Sequence, residues 1–211
     1  MSVKYKPILF NTKMVKAIME GRKTMTRRVL RFTMADVYDF ACGLGKWHES
    51  YDPHNPPQQL VEMYVRSIGK RPCEPGDILW VRETWAHPSE AEVRNGADPD
   101  VFIYKADSPL LPAAHGRWHP SIHMPKEAAR IFMRVKNVWR ERLKDIYQQH
   151  EPGPDNHVTK EGCNFLCSFI AVWENTIKPA DHERYGWEAN PWVWVIEFEP
   201  CEKPEGWPQC R

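Results

Sequence analysis

Gly21-Arg22-Lys23-Thr24-Met25-Thr26-Arg27-Arg28 decides how this chain is read. It follows a run in which Met14, Val15, Ile18 and Met19 recur at helical spacing, with Asn11 or Thr12 placed to cap the helix. Gly21 is placed to stop that helix. Before it, Tyr5 to Phe10 reads as a strand entering the core, and after it the chain turns into an extended piece. The stretch brings a lysine, two threonine hydroxyls and an arginine pair together. An ammonium three residues from a hydroxyl can lower the hydroxyl's pKa, or remove its proton once the lysine is partly desolvated. Arginines add planar donor forks for a carbonyl, phosphate or carboxylate. A basic exposed turn accounts for the same composition.

Further along, residues 32–71 carry Gly43, Gly45, Pro53, Pro56 and Pro57 with mixed polarity. They read as an insertion or flap, with a hairpin around residues 60–68. Pro75-Gly76-Asp77 is a turn signal, and Ile78-Leu79-Trp80-Val81-Arg82-Glu83-Thr84-Trp85 follows as a strand. A loop at residues 86–99 leads to a strand over 101–105. Residues 131–139 alternate, with Ile131, Met133, Val135 and Asn137 on one face and Phe132, Arg134, Lys136 and Val138 on the other. Residues 143–147 read as a short helix, and 159–176 as an amphipathic helix carrying Phe165, Leu166, Phe169, Ile170 and Trp173. Residues 192–198 form a closing strand, with Trp192 and Trp194 on one face and Val193 and Val195 on the other. The tail after Pro200 is expected to be loose. The order β-α-β-β-β-α-β suggests an α+β domain, a small barrel with two or three helices across its openings.

The 211 residues suit one domain, and the hydrophobic (42%) and charged (27%) shares suit a globular one. Nineteen prolines argue against long helices. No apolar run approaches the ~20 residues of a membrane span, and the start lacks the pattern of a secretory signal. A cytoplasmic location with the six cysteines as thiols is therefore expected. Net charge is only +1, but residues 1–31 carry +8 and residues 126–144 carry +5. The two blocks are expected to meet on one face suited to an anionic or nucleotide-like ligand; solvated charged faces explain them too. Cys163 and Cys167 would share a face of the late helix. His115, His119 and His123 are interrupted by Pro120. Neither group is a full ligand set, so no metal and no cofactor is expected.

The pattern Gly-x-Lys-x-x-Thr-x-Arg, filled here by Gly21, Lys23, Thr26 and Arg28, resembles the signature of the ASCH domain family. Family members are small β-barrels similar to the RNA-binding PUA fold. Most carry glutamate where this chain has Thr26, and the threonine form is similar to bacterial N4-acetylcytidine amidohydrolases. The segments 75–85, 131–143 and 192–198 resemble the family's barrel strands. Residues 32–71 and 86–125 would then be insertions in a single domain over 1–200, with a tail at 201–211. That length resembles ASCH-like proteins common in phages and prophages.

The resemblance implies an amidohydrolase with Thr26 as nucleophile, Lys23 as base and a distant glutamate relaying a proton. Glu161 holds the matching place before the late helix, where an acid also suits the helix dipole. Glu83 is its rival, unless a salt bridge to Arg28 or Arg82 occupies it. Arg27, Arg28, Arg82, Glu83 and Trp118 are the expected substrate-binding residues. Most other tryptophans belong in the core, though the Trp192–Trp194 pair could stack on a base. A different class of function is a PUA-like module that binds RNA or a modified base without turnover. The expected partners are a nucleoside or RNA and no membrane; oligomeric state is not legible.

Overall fold

Asn11 caps the first helix as its position suggests. The structure, a computed structural model, describes residues 3–107, 117–147, 160–163 and 165–208. Strand β1 (Tyr5–Leu9) leads to helix α1 (Thr12–Met19), where the Asn11 side chain accepts the Met14 N–H at 2.9 Å. Gly21 takes a φ of +72°, a conformation costly for other residues. There the N–H groups of Arg22 and Lys23 both bond to the Ala17 carbonyl, closing the helix and steering the chain into β2 (Met25–Val29).

Helices α2 (Met34–Gly43) and α3 (Gln58–Ser67) follow, then β3 (Ile78–Arg82), β4 (Trp85–Ala86), α4 (Glu90–Arg94), β5 (Ile103–Tyr104) and β6 (Phe132–Arg142). The chain ends through α5 (Leu166–Thr176), α6 (His182–Tyr185) and β7 (Trp192–Cys201). The main sheet has the order β1-β3-β6-β7-β2, with β1 parallel to β3 and every other pair antiparallel. The fold is thus mixed α+β. Among the described residues β1 and β2 remain the two edges of this sheet, so no ladder closes the expected barrel.

One face of the sheet buries Ile8, Val81, Met133, Trp194, Ile196 and Phe198 against Val15 and Ile18 of α1 and Val65 of α3. The other buries Met25, Val193 and Val195 against Phe169 and Trp173 of α5, with Leu143, Ile146 and Trp187. Full burial of one such aliphatic or aromatic side chain contributes about 1.5–3 kcal/mol. Trp194 and the two valines face opposite ways, as their alternation predicts.

Several expectations are corrected. The hairpin at 60–68 is helix α3, because Leu60, Val61, Tyr64, Val65 and Ile68 recur at helical rather than strand spacing and turn to the core. Residue 34 opens α2 because Thr33 and Asp36 form a reciprocal capping box. The described residues hold six α-helices, not two or three. The late helix begins at Leu166, since Gly162 (φ +78°) turns the chain just before it; Cys163 is therefore off the helix and shares no face with Cys167.

In β6 a bulge between Val135 and Asn137 breaks the expected alternation, so Val138 joins Met133 and Val135 in the same core. The strand expected over 101–105 is only Ile103–Tyr104. Nor is the tail loose as far as it is described. Trp207 is buried against Tyr5, Trp80 and Phe132, and its indole N–H donates to the Lys126 carbonyl at 3.0 Å.

Candidate active site

Strand alternation sets the site. Thr26 pairs with Ile196 and Arg28 with Trp194 across β7, while Met25 and Arg27 point to the α5 side. Residues 160–163 run beside the start of β2. Thr24 and Met25 both donate their N–H to the Lys160 carbonyl at 2.9 Å, and Lys23 and Glu161 form an isolated bridge.

That alignment drives the Lys23 and Glu161 side chains together inside the protein. The Lys23 side chain is 0% exposed, and its ammonium donates to Met25 O (2.7 Å), Glu161 O (3.0 Å) and Glu161 Oε2 (3.0 Å). Glu161 Oε1 accepts from Arg27 Nη1 at 2.6 Å. Arg27 also holds Glu141 Oε1, through Nε at 2.8 Å and Nη2 at 2.6 Å. Glu141 Oε2 accepts the Trp139 indole N–H at 2.7 Å. The result is a buried row of alternating charge, Lys23–Glu161–Arg27–Glu141. Isolated, any of these charges would be costly to bury; paired and hydrogen-bonded, they are tolerated.

Gly162 makes the approach possible. A β-carbon there would lie 2.7 Å from Ala17 Cβ and 3.1 Å from Lys23 Cβ, and φ is +78°. Burial holds the Lys23 ammonium below the usual lysine pKa; Glu161 pulls it back up and the Arg28 charge pushes it further down. Burial pushes the neighbouring Cys163 thiol above its usual value.

A cavity of about 540 Å³ opens on this row. Thr26, Arg28 and Glu161 contribute to its wall, with Phe10, Ser121 and Trp173. Lys23 is not in the wall; it is in contact with Glu161. The arrangement puts a hydroxyl, a carboxylate and a guanidinium around one space.

The remaining candidates lie elsewhere. Glu83 is 1% exposed and forms a two-point ion pair with Arg130, at 2.9 Å and 3.0 Å. Its partner is thus neither Arg28 nor Arg82. Burial raises the Glu83 pKa, and Arg130 opposes the shift. Arg130 also pairs with Asp107 and lies over the Tyr104 ring. Arg82 donates to the Ile122 carbonyl and sits over Trp80. Trp118 is half-buried beside His119, whose backbone pairs with Trp85, and is not in the cavity wall. Arg142 lies over the Trp192 ring and Arg140 over the Trp194 ring, each 4.7 Å from the ring centroid.

Two charged residues were not anticipated. Glu141 anchors Arg27, and Arg130 anchors Glu83. A strand acid next to Trp139 in alternation was the available signal for Glu141, and the bulge concealed its face. The first basic block is spread over β1, α1, the following turn and β2, and the second lies largely on β6; much of their charge is matched locally, as in Arg27–Glu141, Lys136–Glu199 and Lys144–Glu188. Among the described residues no three His, Cys, Asp or Glu side chains gather as a metal site, and no helix is long and apolar enough to cross a membrane. His115 and Cys210 lie outside the described residues; the other five cysteines are free thiols.

No family model matches the sequence, and no curated protein matches it. Among solved structures the chain is similar to the crystal structure of a mutant ZmASCH protein from Zymomonas mobilis. The match has a TM-score of 0.34 and 8% identity, and covers 94% of this chain and 76% of that one.

Proposed function

We propose that this chain is an amidohydrolase acting on an acylated nucleoside such as N4-acetylcytidine, with Thr26 as nucleophile. The observation that carries the reading is that Thr26 and Glu161 face one cavity while Glu161 holds the Lys23 ammonium at 3.0 Å. The ASCH-like motif supplied Lys23 and Thr26, and Glu161 joins them from far along the chain.

In this reading the proton on Lys23 passes to Glu161 along their hydrogen bond, a transfer favoured by the burial of the ammonium. The neutral amine then accepts the Thr26 hydroxyl proton as Oγ1 attacks the amide carbonyl. Arg28 stabilises the oxyanion. Protonated Glu161 gives its proton to the departing amine as the carbon–nitrogen bond breaks. Water then attacks the Thr26 ester, releasing acetate and restoring the hydroxyl. Side chains fill each of these roles.

One observation favours a second reading, a module that binds a modified base without turnover. All three Lys23 N–H groups are committed to protein acceptors, so lysine also suits the role of a clamp on Glu161. The test is hydrolysis of N4-acetylcytidine by the unmodified protein, by Thr26→Ala and by Lys23→Arg. Loss of turnover in both variants, with native circular dichroism, supports the amidase. Full turnover in Lys23→Arg removes lysine as base, because arginine does not release its proton near neutrality. No turnover by the unmodified protein, together with binding of the nucleoside, leaves the clamp reading.

A further inference from the structure

A second cavity, about 620 Å³, lies between α1 and α5. Glu161, Met14 and Val172 line it and also line the first cavity, so the two spaces adjoin around these three residues. The second wall differs in charge. Lys13 and Lys16 are exposed and lie three apart, hence on one side of α1, and Arg22 joins them. Glu20 is matched by Arg22, through Nε at 2.8 Å, and Glu161 is matched by Lys23 and Arg27. Among the described residues the groove therefore keeps a surplus of positive charge from the two lysines. Its remaining wall offers Ser168 and Asn175 from α5.

We propose that this groove holds the phosphate of a nucleotide ligand whose base occupies the first cavity. The inference rests on the nucleoside reading above and narrows it, from a free nucleoside to a phosphate ester, either a mononucleotide or a residue within an oligonucleotide. Its physical basis is placement. A base in the first cavity has a cationic groove beside it, across the shared wall of Met14, Glu161 and Val172, where Lys13 and Lys16 can neutralise phosphate oxygens. Each such contact releases counterions and makes affinity depend on salt.

Calorimetric titration with cytidine, cytidine 5′-monophosphate and a short cytidine oligonucleotide tests this at low and high salt, in parallel with the hydrolysis assay. The expected result is binding of the monophosphate at least about tenfold tighter than cytidine at low salt, with the gap closing as salt rises. Lys13→Ala combined with Lys16→Ala should bring the monophosphate down to cytidine's affinity. A further gain with the oligonucleotide assigns the phosphate to a strand; no gain assigns it to a mononucleotide. Equal affinities for cytidine and its monophosphate overturn the proposal, as does a preference that survives the double substitution, or no binding by any of the three. Turnover without phosphate preference sinks this inference alone, and phosphate-dependent binding without turnover sinks only the amidase.

Discussion

The Arg28 guanidinium donates through Nη2 to the Leu9 carbonyl at 2.8 Å, and so joins the two edges of the sheet that share no ladder. Leu9 ends β1 and Arg28 lies within β2. A side chain thus spans the place where a closed barrel would have backbone hydrogen bonds. Replacing Arg28 with leucine should cost about 1 kcal/mol, since the contact is partly exposed. Urea denaturation would measure it. Amide exchange should quicken in β1 and β2 while β6 and β7 stay protected.

The buried charge row predicts an order of damage. Lys23→Met takes a partner from Glu161 alone, which keeps Arg27, whereas Arg27→Met takes an ion-pair partner from both Glu141 and Glu161. Removing one partner of a buried pair costs about 3–5 kcal/mol. Arg27→Met should be the more destabilising of the two in thermal melts at pH 7. Equal losses would show that the row does not act as one unit.

Gly162→Ala tests the close approach of the 160–163 segment to α1. The new β-carbon meets Ala17 Cβ at 2.7 Å, and the backbone keeps a positive φ. The strain should cost about 1–3 kcal/mol, and the segment must shift, so turnover should fall even where the protein remains folded. A thermal melt and an assay on the same sample separate the two effects. Gly21→Ala has open space around it and pays only the conformational term, so its melt should shift less.

Asp77 supplies a pH dependence. Burial acts to raise its pKa, but hydrogen bonds from the backbone N–H groups of Glu74 and Lys4 and the nearby Lys6 ammonium outweigh it and hold the carboxyl below the usual value. A depressed folded pKa stabilises above the unfolded value, near 3.8, and that contribution disappears as pH falls through the folded one. Stability of the native protein should therefore drop more steeply below about pH 4 than that of Asp77→Asn. Parallel slopes in acid denaturation would assign the loss to other carboxylates.

Local signals were legible where one element sufficed to produce them. Asn11 and Gly21 bounded α1 because capping and positive φ are properties of single residues. Met25 to Val29 and β7 could be read from their flanking turns and alternation. Proline and glycine in residues 32–71 suggested loop, yet the apolar spacing from Leu60 to Ile68 was helical, and tertiary packing on the core decided it. Lys23, Thr26 and Glu161 were visible as residue types. Their grouping was implied by the family resemblance and not by the residues themselves, because the approach of Glu161 to Lys23 depends on Gly162 fitting against Ala17. Glu83 looked functional because it follows an apolar strand, but its charge is answered by Arg130, a residue whose direction only the folded chain fixes.

The bulge at Lys136 acts as a phase shift in β6. Upstream of it, odd-numbered side chains such as Met133 and Val135 face the α1 core; downstream, odd-numbered Trp139 and Glu141 face α5 and Arg27. Had the strand run straight over the same residues, Glu141 would have pointed to the opposite side, away from Arg27. The chemistry at one end of the strand therefore depends on a count of residues in its middle. Removing Lys136 alone should leave a regular strand that keeps the facing of Asn137 to Arg142, whereas removing Lys136 and Asn137 together should invert every side chain from Val138 to Arg142. Length parity, rather than any single side chain in that span, is the constraint evolution or a designer would have to respect.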